Sequence, residues 1–547
     1  MSSAAATVLG CGDDADGTGS GTSGGGDDGS TSSSGGVETT TAVDGSSSSG
    51  GGDDGLPRYE YEGEPGPETT FSHGVASGDP LTDSVILWTR VTADSSEPVE
   101  AFFEVALDPS FNTRVAADYL MTQPDRDQTI KLDIDGLEAG TTYYYRFFAL
   151  GRESIIGRTR TAGSGDVERL RFAVCSCSSL AHGYFHAYRR VSERPDLDLV
   201  IHLGDYIYEY GNAEYGEVRD YEPPTEIVSL DDYRMRYAQY RRDVDLQAMH
   251  RQHPVVAVWD DHESANNAYK DGAENHQPMT EGDWEDRKAV AYQVYAEWMP
   301  LREGAAGVIY RALPYGDLLH LMMLDTRLVG RDEEPSNLTD PEDLDNPDRQ
   351  LLGMEQEAWL VDEMQGTSAQ WKMVGQQVVM AEVRLGENPV NADQWDGYRA
   401  ARGRFYDLAS DAGNVVVLTG DIHSSWAFDL AVDPAGNYDP ATGAGSVGVE
   451  FVVPAVSSPG FPFDASMSLL ETNPHLHWID VSQRGYMVLD IDTERVQASW
   501  WFVDDVESTS GDAESLGSVW AVYDGTNHIV EEDGPAEPVA DAPELAP

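Results

Sequence analysis

Six apolar runs in the second part of the chain share one habit: each stops on a polar side chain. RLRFAV (169–174) runs into Cys175-Ser176-Cys177, DLVIHLG (198–204) into Asp205 and Tyr208, and VVAVW (255–259) into Asp260, Asp261, His262 and Glu263. LLHLMML (318–324) leads to Asp325, QWKMVG (370–375) to Gln376-Gln377, and NVVVLTG (414–420) to Asp421 and His423. Such short apolar runs read as buried strands. Between them, LDDYRMRYAQYRRDVDLQAMH (230–250) and DWEDRKAVAYQVYAEWM (283–299) read as helices. Strands alternating with helices predict an α/β domain over 166–510. Ligand sites in such sheets lie beyond the carboxyl ends of strands, so polar termini roughly 250 positions apart in sequence are expected to converge.

The texture before residue 166 differs. DSVILWTRV, EPVEAFFEVAL and TIKLDIDGLEAGTTYYYRFFAL alternate at period two between turn residues, which predicts a small β-sandwich over 58–165. GLEAGTTYYYRF resembles the tyrosine-corner strand of fibronectin type III domains, making this an Ig-like or fibronectin-like sandwich whose tyrosines are core or corner residues. Residues 12–57 are almost wholly Gly, Ser, Thr and Asp, the composition of a flexible tether. Val8-Leu9-Gly10-Cys11 just before it resembles a bacterial lipoprotein box, with Cys11 as the lipid attachment point. Together, 1–57 suggest export to the periplasm, the outer-membrane surface or the medium. The last segment, 511–547, ends in EEDGPAEPVADAPELAP and reads as an acidic disordered tail.

Composition narrows the partners. With 35 Lys+Arg against 97 Asp+Glu, the net charge of -62 argues against nucleic acid and anionic membranes. An anionic substrate would need concentrated positive charge at its site, and bound metal ions are the obvious source. The three cysteines, Cys11, Cys175 and Cys177, offer no disulfide framework. No stretch approaches the roughly 18 apolar residues of a membrane-spanning helix. A monomer is the expected state.

The strand-end residues are a mixed ligand set. Thiolate, phenolate and imidazole suit a transition metal such as Fe(III) or zinc, whereas carboxylates and amide oxygens suit Ca²⁺, Mg²⁺ or Mn²⁺. Cys177, Tyr208 and His423 fit the softer ion, Asp261, Asp421 and an asparagine the harder one, with Asp205 able to bridge. Arg399 and Arg402 are either a phosphate clamp or structural ion pairs, and His182 and His186 read as surface or packing residues.

The series SCSS, GDYIY, DDHE and GDIH resembles the metallophosphoesterase pattern of purple-acid-phosphatase type, with Cys177 at the usual aspartate, Asp261 at the asparagine and Asp421 at the first histidine. With FSHGVASGDPLTDSVILWTRV, VWDDHESANN, DQWDGYRAARGRF and FVVPAVSSPG, the chain is similar over about 68–505 to the PhoD-like family of alkaline phosphatases. The resemblance implies a PhoD-type N-terminal β domain, a four-layer αββα sandwich, and an Fe(III) and Ca²⁺ centre. Cys177, Asp205, Tyr208 and His423 would hold iron, and Asp205, Asp261, Asp421 and Asn266 or Asn267 calcium; Cys175 is the competing thiol. The usual VxxH histidine is replaced by Gln376-Gln377. The expected activity is hydrolysis of extracellular phosphate mono- and diesters for phosphate acquisition, by a metal-bound hydroxide or oxide. His262 would bind a phosphoryl oxygen or protonate the leaving group, or else support a neighbouring carboxylate. Alternatives are a phospholipase-type diesterase on the same scaffold and a noncatalytic calcium-dependent surface-binding protein.

Overall fold

The computed structural model describes residues 54–547 apart from 94–95, 305–306, 387 and 462–465. Cys11 and residues 1–53 of the expected tether lie outside the described residues.

All six apolar runs form strands, three to a sheet. Among the described residues, a ten-stranded sheet carries Arg169–Cys175, Leu199–His202 and Pro254–Ala257 as parallel neighbours. A seven-stranded sheet carries Leu319–Met323, Trp371–Gln376 and Val415–Thr419 as parallel neighbours. Parallel order brings the carboxyl ends in each triplet to one edge. Side chains alternate between two cores, as the period of a strand requires. Met373, Val416 and Leu418 join Phe172 and Val174 of the larger sheet in one buried cluster, so the sheets share an apolar interior. Val374, Val415 and Val417 instead cluster with Leu360 and Met364 of helix Gly353–Gly366 and with Phe405 and Ala409 of helix Arg399–Ala412. Helices His186–Ser192 and Val244–Gln252 pack on the larger sheet through Tyr188, Val191, Leu246 and Met249.

The predicted helix over 230–250 is two helices, Leu230–Arg241 and Val244–Gln252. The break follows from Asp243, whose carboxylate accepts the backbone amides of Asp245 and Leu246 and caps the second helix. The helix predicted over 283–299 forms as Trp284–Trp298.

Two expectations need correction. The N-terminal region is not a free-standing sandwich, because Val75–Gly78, Val85–Arg90 and Thr129–Ile134 extend the ten-stranded sheet. Val75–Gly78 pairs in parallel with Pro254–Ala257, and a Cβ on Gly78 would lie 2.1 Å from Pro300 O, so only glycine permits that approach. The other N-terminal strands make a five-stranded sheet over a core of Val85, Leu87, Val105, Ile130, Tyr143, Tyr145 and Phe147. The Tyr143 hydroxyl accepts the amide of Glu138 at 2.8 Å, a bond from the strand back to the turn before it.

The C-terminal segment is ordered. Glu514–Tyr523 and Ile529–Glu531 are outer strands of the larger sheet. Beyond them Arg169 and Arg171 donate to Glu537 O at 2.6 and 2.9 Å, Tyr144 donates to Glu544 O at 2.5 Å, and Gln252 exchanges two bonds with the Ala546 backbone. Local composition misled because every one of these partners lies hundreds of positions away. No helix among the described residues is long and apolar enough to cross a membrane.

Candidate metal centre

The strand ends meet across the two sheets. Cys177, Asp205 and His423 present ligand atoms within 4.8 Å of one another, as do Asp205, Asp261 and His262, and Asp260, Asp261 and Asp421. Tyr208 joins the first group: its hydroxyl donates to Asp205 Oδ2 at 3.0 Å and lies 3.1 Å from His423 Nε2. Asp205 and Asp261 therefore link one continuous cluster. Four of its members, Cys177, Asp205, Asp421 and His423, hold left-handed backbone angles (φ 58, 54, 63 and 54°), which costs a non-glycine residue of order 1 kcal/mol and is typical of functional loops. Gly204 makes room, since a Cβ there would sit 2.4 Å from Asp260 Cβ.

Neighbouring residues orient the side chains of the cluster. His423 Nδ1 donates to Pro459 O at 2.9 Å, which leaves the Nε2 lone pair turned inward toward Tyr208 and Asp205. Ser458 Oγ, in the same SSPG loop, bonds Cys177 O at 2.9 Å and Tyr208 Oη at 2.7 Å. Glu263 accepts the amides of Asp205, Tyr206 and Asp260, tying two strand-end loops together. His262 stacks near Tyr208 with ring centroids 4.3 Å apart, and its Nδ1 donates to buried Glu209 at 2.7 Å.

Burial sets the electrostatics. It pushes Cys177, Asp205 and Asp421 well above their ordinary values, and the neighbouring carboxylates add to the effect. Burial also raises Asp260 to about 7 and Glu263 to about 8. For Asp261 burial is outweighed by Arg327 and His262, which hold it down to about 2. His262 is likewise opposed by burial, but Glu209, Asp261 and Asp205 keep its proton on. Asp205 Oδ1, Asp260 Oδ2, Asp261 Oδ1, His262 Nε2 and Asn266 Oδ1 are buried with no hydrogen-bond partner among the described residues. Converging anions with spare lone pairs are what cations satisfy, so the donor set fits bound metal.

Not every strand end contributes. Asp325 accepts the amides of Arg327 and Leu328 and shapes a turn. Gln377 donates to Trp259 O and Leu324 O, while Gln376 bonds Val378 O and Thr419, so both amides hold backbone. Cys175 is buried in the apolar core, outside the ligand groups. Asn266 is buried, whereas Asn267 gives its amide to Asp261 and its side chain to Glu274. Arg399 pairs with Asp345 and Arg402 with Asp396, so neither clamps a ligand. His186 Nε2 donates to Ser508 O at 2.8 Å, and His182 lines a 340 Å³ cleft with Pro459 and Arg484.

Sequence reasoning missed three residues. Arg327, fully buried, pairs with Asp260 at 2.5 Å, Asp393 at 2.7 Å and Asp421 at 3.0 Å. Its signal was the excess of predicted buried carboxylate, which demanded a cation nearby. Glu209 directly follows Tyr208 and was legible only as part of the tyrosine run. Arg484 is half-buried in the wall of the cleft, its Nε without a partner among the described residues, and desolvation lowers it to about 10.

The relatives of this chain place it among the phosphoric ester hydrolases. The family model described as PhoD-like phosphatase matches residues 172–500, and the PhoD-like phosphatase N-terminal domain matches 59–163; the chain belongs to this family. It is 39% identical over 445 residues to alkaline phosphatase D of Bacillus subtilis (strain 168), covering 76% of this chain and 75% of that protein. A solved structure titled "Structure of PhoD" superposes with a TM-score of 0.79 at 34% identity, covering 88% of this chain and 94% of the other.

Proposed function

We propose that the chain is a metal-dependent alkaline phosphatase with phosphodiesterase ability, holding Fe(III) through Cys177, Asp205, Tyr208 and His423 and Ca²⁺ through Asp205, Asp261, Asp421 and Asn266. The observation that carries this reading is the meeting of a thiol, a phenol, two imidazoles and four aspartates in one buried cluster with unpartnered oxygens. Ions bound there supply positive charge for the phosphoryl oxygens and acidify a water for attack. The sheets and flanking helices support the four-layer αββα description of the domain.

The protein's own groups do the rest. Water attacks phosphorus in line with the ester oxygen that leaves. His262 Nε2, buried and held as imidazolium by Glu209, donates its proton to that departing oxygen. Arg484 faces the cleft beside His182 and Pro459 and binds a non-bridging phosphoryl oxygen. Arg327 neutralises Asp260 and Asp393 and helps keep Asp261 ionised. An exported, tethered enzyme gathering phosphate from external esters is supported by the composition of residues 1–57.

The test is hydrolysis of a chromogenic phosphomonoester and a diester, each with and without chelator. Hydrolysis should stop on chelation and return with iron plus calcium. Absence of turnover after loading with both metals would leave the surface-binding alternative standing.

A further inference from the structure

A second set of metal-capable side chains lies away from the catalytic cluster. Asp429, His477 and His528 present ligand atoms within 4.8 Å of one another and share no residue with the groups at the strand ends. Asp429 belongs to strand Ser425–Ala431, four residues beyond its start, and at about 3.3 Å per residue that sets it roughly 13 Å from the end nearest His423. His477 comes from the neighbouring strand Leu476–Asp480, and His528 immediately precedes strand Ile529–Glu531 of the other sheet.

The geometry is that of a pocket around one oxygen. His528 Nδ1 lies 2.6 Å, the Tyr438 hydroxyl 2.8 Å and His477 Nε2 3.3 Å from Asp429 Oδ2. Tyr438 Oη is also 3.0 Å from His477 Nε2, and Asp429 Oδ1 is taken by the Ile529 amide at 2.9 Å. Asp429 is fully buried, and the two imidazoles are 14% and 19% exposed. As a hydrogen-bond network, His528 Nδ1 and the Tyr438 hydroxyl share Asp429 Oδ2, while His477 Nε2 bonds the Tyr438 oxygen and lies 3.3 Å from the same carboxylate oxygen. The same inward-facing atoms converge within 4.8 Å, and a divalent ion among them would be held by both rings as neutral imidazoles through those nitrogens.

We propose that Asp429, His477 and His528, with Tyr438 beside them, form a structural zinc-type site that fastens the C-terminal strand of the larger sheet to the seven-stranded sheet. Two imidazole nitrogens, a carboxylate and a phenolic oxygen suit Zn²⁺ in a four-coordinate site. A cleft of about 390 Å³ lined by Gly443, Ser446, Tyr523, Asn527 and His528 gives the ion an entrance.

The experiment compares the full chain with the His477→Gln/His528→Gln double variant. Glutamine preserves a donor toward Asp429, so the fold is expected to survive. Each protein is equilibrated with zinc alone, freed of unbound metal and analysed for zinc, then examined by visible spectroscopy after Co²⁺ loading. The wild type should retain one more zinc per chain than the variant. The Co²⁺ difference spectrum should show d–d bands of a four-coordinate nitrogen and oxygen site, with phosphoester hydrolysis equal in the two proteins. Equal zinc content and a flat difference spectrum would overturn the site and leave a hydrogen-bond network. Should the double variant fail to fold, the single His528→Gln exchange must show the same loss. Because hydrolysis is read separately, failure here leaves the catalytic reading untouched.

Discussion

Exchange of Glu209 for glutamine tests the acid role of His262 with almost no change of shape. Glu209 Oε2 accepts His262 Nδ1 at 2.7 Å, while Oε1 accepts Asn266 N at 2.8 Å and Asn275 Nδ2 at 2.9 Å. With both Oε1 partners donating, glutamine must keep its oxygen there and turn its NH2 toward His262. The ring then accepts at Nδ1 and becomes a neutral imidazole, a far weaker acid. Opposite charges 2.7 Å apart at an effective dielectric of about 20 attract by roughly 6 kcal/mol. General-acid assistance of ~10²–10⁴-fold corresponds to about 3–5 kcal/mol, so the lost attraction suffices to remove all of it. The assay is kcat on two monoesters, a 4-nitrophenyl ester whose leaving group needs no proton and an alkyl ester whose leaving group does. Glu209→Gln should lower kcat on the alkyl ester by ~10²-fold or more and on the nitrophenyl ester by less than about tenfold, with His262→Asn giving the same pattern. Equal losses on both esters would refute proton donation and leave His262 as a support for its neighbours.

Two other outcomes follow from buried charge. Replacing Arg327 by methionine strands Asp260, Asp393 and Asp421 without their shared partner, and urea unfolding of the metal-loaded protein should show a loss of about 3–5 kcal/mol; a change below about 1 kcal/mol would mean the bound ions alone neutralise the cluster. His253 directly precedes strand Pro254–Ala257, at the end away from the Asp260–Asp261 cluster, its Nε2 bonded to Val191 O, and burial holds it down to about 3 against 6.5 for a free ring. Between those values the unfolded chain binds the extra proton, so this ring costs stability as pH falls, by up to ~1.4 kcal/mol per unit, and costs nothing above 6.5. His253→Gln should therefore gain on the wild type by about that amount per unit between pH 6 and 4, and parallel urea-unfolding profiles would contradict the assignment.

The strand-end cluster was readable because a parallel sheet turns distant sequence positions into spatial neighbours by a rule that applies to every strand. Cys177, Asp205, Asp261, Asp421 and His423 all follow it. Gln376, Gln377 and Asp325 follow the same rule and serve the backbone instead, since a strand end says where a side chain is and not what it bonds. Arg327 escaped because its partners Asp260 and Asp393 lie 67 and 66 positions away. The ordered C-terminal strap and the parallel pairing of Val75–Gly78 escaped for the same reason: a Pro- and Ala-rich segment or a short strand carries no local mark of the surface it will meet.

Anomalous diffraction from crystals of catalytically active protein tests the account most directly. The account predicts a transition-metal peak bonded to Cys177 Sγ, Tyr208 Oη, His423 Nε2 and Asp205, with a second, lighter cation between Asp261 and Asp421. Active crystals with no ordered ion among those side chains would contradict it.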